Sequence, residues 1–90
     1  MFVALIAKDK PGALNVRADN RPAHLDYLKS TDLVAQAGPL LDADGGMIGS
    51  LIILDVADMV TAQEWADSDP YAKAGLFASV ELIHWNRVIG

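Results

Sequence analysis

The stretch from Leu33 to Asp55, LVAQAGPLLDADGGMIGSLIILD, decides the architecture. Asp42-Ala43-Asp44-Gly45-Gly46 is a strong turn signal between two apolar runs, Leu33–Leu41 and Met47–Asp55. Both runs are short and rich in aliphatic residues, which reads as two strands joined in an antiparallel hairpin. Gly38-Pro39 lies inside the first strand. Proline cannot donate to a ladder, so that strand belongs at a sheet edge or carries a bulge.

Working outward, Phe2–Lys8 is another aliphatic run, closed by Pro11-Gly12 and too short for a typical helix, hence a strand. Between it and the hairpin, Leu14, Ala18, Arg21, Leu25 and Leu28 recur at helical spacing across residues 13–30. Pro22 interrupts that pattern. It predicts a break near Asp19-Asn20 and a main helix from Arg21, with Asn20 as N-cap and Pro22 in the first turn, where its missing N–H costs little. Downstream, Asp58 and Thr61 are both candidate N-caps of a second helix, and Thr61 with Glu64 fits a capping box. Ala62, Trp65 and Ala66 form its apolar side, Ser68-Asp69-Pro70 interrupts it, and Tyr71–Gly75 adds one helical turn. Phe77–Val88 reads as the last strand. The order is βαββαβ, an α+β, ferredoxin-like chain with a four-stranded antiparallel sheet, expected to form a single domain over residues 1–90.

The first strand is apolar on both faces, with Phe2, Ala4 and Ile6 on one and Val3, Leu5 and Ala7 on the other. Leu51 and Ile53 against Ile52 and Leu54 repeat this in the third strand. Two helices cover only one face of such a sheet, and a wet apolar face is costly for so small a domain. A homodimer packed sheet against sheet is the expected partner.

Ninety residues hold seven Lys and Arg against twelve Asp and Glu, a net charge of −5. Nucleic acid and anionic membrane surfaces both call for concentrated positive charge, so neither is an expected partner. The absence of cysteine excludes thiol nucleophiles, disulfides and Cys-based metal sites. The apolar run Phe2–Ala7 stops at Lys8-Asp9-Lys10, too short for a signal peptide or a membrane span, and the expected location is cytoplasmic.

Few side chains are left to carry chemistry. His24 sits in Arg21-Pro22-Ala23-His24-Leu25, and if the helix continues back to Arg17 then Arg17, Arg21 and His24 share one stripe. Histidine titrates near neutrality and takes or returns a proton when a carboxylate orients it; on a helix it also serves as an ordinary packed or solvent-facing residue. Asp69 before Pro70 is what a helix N-cap with proline at the first helical position looks like, and a cap can also orient an imidazole. Ser50, after Gly49, is either a hydrogen-bond donor to a ligand or a bulge residue. Trp65, Trp85, Tyr71 and Phe77 read as core or dimer contacts. No metal-ligand spacing, nucleophile elbow or phosphate loop is present.

Arg17 followed by Arg21-Pro22-Ala23-His24-Leu25, then Ala37-Gly38-Pro39-Leu40, Gly49-Ser50, Trp65-Ala66-Asp67-Ser68-Asp69-Pro70-Tyr71, Ala74-Gly75-Leu76-Phe77 and Trp85 stand in an order that resembles the YciI-like (YCII-related) family across nearly the whole chain. That resemblance implies a dimeric α/β-barrel built from two ferredoxin-like units. It also implies an active site centred on a histidine and an aspartate, which fall on His24 and Asp69. Two departures stand out: His84 replaces the proline the family commonly has before its late aromatic residue, and the Ser30-Thr31-Asp32 connection is short and lacks the common glycine. One relative is a dehydrochlorinase, and fold relatives include isomerases and cofactor-free oxygenases. The chemistry that fits is proton transfer on a small organic molecule, of lyase or isomerase type, with His24 as base and then acid and Asp69 fixing its tautomer. Arg17, Arg21 and Ser50 are the candidate substrate-binding residues, and no cofactor is required. A non-catalytic small-molecule binder and a cofactor-free monooxygenase are the competing classes.

Overall fold

The computed structural model describes all residues, 1–90. In chain order the elements are β1 (Phe2–Asp9), α1 (Leu14–Ser30), β2 (Val34–Leu41), β3 (Met47–Asp55), α2 (Met59–Ser68), α3 (Pro70–Lys73) and β4 (Phe77–Trp85). The strands form one antiparallel sheet in the order β2-β3-β1-β4, the ferredoxin-like arrangement. Proline-bearing β2 is at the edge, and its register against β3 slips between Val34 and Gln36 and again between Leu40 and Leu41. Asp42 closes the hairpin as an Asx turn, its Oδ1 accepting from the N–H groups of Asp44 and Gly46.

One sheet face holds the core. Val3, Leu5 and Ala7 of β1 and Ile52 and Leu54 of β3 pack with Val56 against Ala62, Trp65 and Ala66 of α2. Two clasps join the helices: Tyr27 Oη donates to the Trp65 carbonyl, and Trp65 Nε1 donates to Thr31 Oγ1, each at 2.9 Å. The opposite face carries Phe2, Ala4, Ile6, Leu51, Ile53, Ile83 and Trp85 in adjacent registers with no helix over it. Ile83 and Leu51 are exposed there. No helix is long and apolar enough to cross a membrane.

Three local expectations are corrected. The α1 helix runs unbroken from Leu14 to Ser30, with Pro22 in its interior. The bond lost at Pro22 is the one its N–H would make to the Ala18 carbonyl, and both residues are exposed, so water is available to that oxygen. Asn20 is therefore not an N-cap; its Nδ2 donates to the Val16 carbonyl within the helix. Asp58 caps α2, accepting the Thr61 N–H at 2.8 Å and holding the Asp58 carboxyl below the usual carboxylate range, which leaves Thr61 inside the helix and no capping box. Finally, β4 ends at Trp85, since β1 offers no ladder partner beyond Phe2, which pairs with it. In the α1–β2 connection, Asp32 takes a left-handed φ of 55°, the conformation that favours the glycine missing from this sequence.

Candidate active site

Helix α1 buries only Arg17 and His24, a polar stripe turned inward where an amphipathic helix would present leucines. Arg17, Arg21 and His24 follow at helical spacing, so their side chains reach one cleft between α1, β2, β3 and α3. The cleft has a volume of about 190 Å³, and Leu25, Leu28, Pro39, Met47 and Ile52 supply its apolar walls. Ser50 and Tyr71 complete the lining. An apolar cavity of about 150 Å³ in an unrelated protein accommodates benzene, so this volume suits one substituted ring.

Asp69 lies behind His24. It is N-cap of α3, with Pro70 at the first helical position, and its Oδ1 accepts the Tyr71 N–H at 2.9 Å. The same oxygen is 2.8 Å from His24 Nδ1. Cap and orienting partner are thus one atom doing both jobs. An oxygen that accepts from the Tyr71 amide as an ionised carboxylate also accepts from the imidazole, so Nδ1 carries the proton and Nε2 is the basic nitrogen. Nε2 has no partner within the protein, yet no unpartnered side-chain atom is sealed from solvent, so it opens to the cleft.

The two arginines differ. Arg17 is buried, and its Nε and Nη2 donate to the two Asp9 oxygens at 2.7 and 2.9 Å. Nη2 also donates to Ser50 Oγ at 3.0 Å. Burial pulls the guanidinium pKa down, but the hydrogen bonds and charge of Asp9 outweigh it and the net shift is upward. Arg21 is exposed at the cleft and has no carboxylate within ion-pair distance. Arg17 is thus a neutralised strut that Ser50 helps hold, and Arg21 keeps an unpaired charge at the cleft. Gly49 makes Ser50's position possible, because a Cβ there would overlap the Ala7 carbonyl oxygen.

The structure brings His24, Asp69, Arg17, Arg21 and Ser50 together around this cleft. His84 is exposed on β4 opposite Val3, away from the lining. Two residues escaped the sequence reading. Asp9 enters there only as one of the charges that stop the first apolar run, although its place just before the Pro11-Gly12 turn returns the chain within reach of Arg17. Tyr71, read as a core or dimer contact, is 1% exposed and stacks on His24, with centroids 3.8 Å apart and planes 15° apart. Burial raises the Tyr71 phenol, partly offset by Arg17 and Arg21, so the ring is neutral at physiological pH.

Residues 1–86 match the YCII-related domain. The chain is 33% identical to Protein YciI of Escherichia coli O6:H1, the match covering 98% of this chain and 99% of the relative. It is 35% identical to the 5-chloro-2-hydroxyhydroquinone dehydrochlorinase TftG of Burkholderia phenoliruptrix AC1100, solved in complex with 2,5-dihydroxybenzoquinone, with a TM-score of 0.91 over 98% of this chain and 96% of that one. Rv0793 of Mycobacterium tuberculosis, at 16% identity and a TM-score of 0.66 over the full length of both chains, shares the fold alone. With its sheet order and a family match along nearly its whole length, the chain belongs to the YCII-related family.

Proposed function

We propose that this protein is a lyase or isomerase that moves protons on a small hydroxylated ring compound, with His24 as base and then acid. The observation that carries the reading is the buried 2.8 Å contact between His24 Nδ1 and Asp69 Oδ1 in the wall of a ring-sized cleft. Nε2 takes a proton from a ring hydroxyl and returns it to a ring carbon; in an isomerisation the reaction ends there. In an elimination that carbon bears an anionic leaving group, which departs as a second hydroxyl gives up its proton. The net loss is one proton and one anion, with no change of oxidation state overall. Asp69 holds the tautomer and balances the imidazolium that forms between the two transfers. Arg21 faces the oxygen that gains negative charge, where a preorganised cation lowers the barrier. Arg17 and Ser50 shape the wall beside it.

The similarity to a dehydrochlorinase supports the elimination form. A panel of small chlorinated and non-chlorinated hydroxyarenes, 5-chloro-2-hydroxyhydroquinone among them, tests it by chloride release and by ultraviolet spectra. The expected result is protein-dependent turnover of at least one member; binding of members without turnover of any would replace the enzyme reading with that of a binding protein. The same proposal makes the open sheet face a homodimer interface, since Leu51, Ile83 and Trp85 stay exposed on it within one chain.

A further inference from the structure

We propose that Tyr71 is a positioning residue for His24, acting through its ring face. The inference rests on the proton-transfer reading above and adds a residue to it. The bond to Cβ and the hydrogen bond from Nδ1 to Asp69 hold one edge of the imidazole and leave the ring able to swing about that edge. Swinging would sweep Nε2 across the cleft, and a general base works only within hydrogen-bond reach of its proton. The Tyr71 ring removes that freedom, lying 3.8 Å from the imidazole centroid and within 15° of parallel.

Tyr71 is itself held from several directions. Its N–H donates to Asp69 Oδ1, the oxygen that faces His24, so ring and carboxylate are fixed in one turn of chain. Phe77 packs edge-on against it at 6.0 Å and 85°, and the Arg17 guanidinium carbon lies 4.7 Å from its centroid. Arg17 is locked in turn by Asp9 and Ser50. The Asp69-Pro70-Tyr71 segment therefore works as a two-part clamp. The aspartate sets which nitrogen is basic, and the tyrosine sets where that nitrogen points.

The test compares Tyr71→Phe, which keeps the flat face, with Tyr71→Leu, which keeps an apolar side chain without it; Tyr71→Met stands in should the leucine variant not fold. Circular dichroism and thermal melting establish the fold. The readouts are the downfield Nδ1–H proton resonance of His24 and, on a compound the wild type turns over, kcat and KM separately. The expected result for Tyr71→Phe is a wild-type resonance and a kcat well above that of the Leu or Met variant. A folded Leu or Met variant should lose the resonance to exchange and lose kcat by about 10–100-fold with little change in KM. A folded Leu or Met variant that keeps both would overturn the inference, and so would a Phe variant as impaired as Leu, since the hydroxyl would then be the working part. Full turnover by His24→Ala would instead remove the catalytic reading, while the resonance would still report on the clamp.

Discussion

Asp69 Oδ1 serves two donors at once, and this makes its substitutions separable. In Asp69→Asn the amide oxygen can keep both the Tyr71 N–H and the His24 Nδ1–H, because flipping the amide would set its NH₂ against the Tyr71 amide. Only the charge is lost. Stability should fall by about 1 kcal/mol as two charge-assisted hydrogen bonds become neutral ones, and turnover should fall about ten-fold because nothing then balances the imidazolium. Asp69→Ala removes cap and partner together and should cost about 1–3 kcal/mol in urea unfolding. Asp9 is the other residue whose loss should be felt. Its side chain is 7% exposed and that of Arg17 5%, so Asp9→Ala strands a buried guanidinium and should cost about 3–5 kcal/mol. The pair Asp9→Ala with Arg17→Met should recover most of that loss, because an uncharged, well-packed side chain leaves nothing unpaired. At this scale His24 and Asp69 could be read in the sequence, since D-P marks a cap and R-P-A-H-L a family landmark. The stack of Tyr71 on His24 could not, because an aromatic at that spacing looks the same whether it faces a core or an imidazole.

Among the elements, the hairpin was fully readable, because turn chemistry and aliphatic runs act locally and agree. Helix α1 was not. Pro22 satisfies the rule for a helix start, yet tertiary fixation of Arg17 by Asp9 on one side and of His24 by Asp69 on the other carries the helix straight through it. The proline sits between the two cleft residues Arg21 and His24, in an element whose inward stripe is polar, and local rules give way at such sites. Pro22→Ala restores the bond to the Ala18 carbonyl and should raise stability by about 1–3 kcal/mol, read as a higher urea midpoint at unchanged slope. The end of β4 was misplaced for a different reason: no glycine or proline between Phe77 and Val88 marks a stop, but a strand stops where its neighbour does.

For the whole molecule, the division between a covered and an open sheet face joins fold to function. The covered face supplies Ser50 and Ile52 to the cleft, and the open face is the one the proposed homodimer would bury. Sedimentation should give about twice the 9.6 kDa chain mass, and Ile83→Glu on the open face should shift the protein toward monomer. That face was legible because Phe2–Ala7 of β1 and Leu51–Leu54 of β3 are apolar on both sides of the sheet, and one two-helix layer covers only one side. Everything proposed for the cleft depends on His24 moving the proton, which turnover by His24→Ala beside wild type tests. The measurement is chloride release from 5-chloro-2-hydroxyhydroquinone, or from whichever hydroxyarene the wild type converts, with folding checked by circular dichroism. The expected result is a loss of about 10²–10⁴-fold in kcat with the fold intact. A folded His24→Ala variant that turns over substrate at the wild-type rate would contradict it.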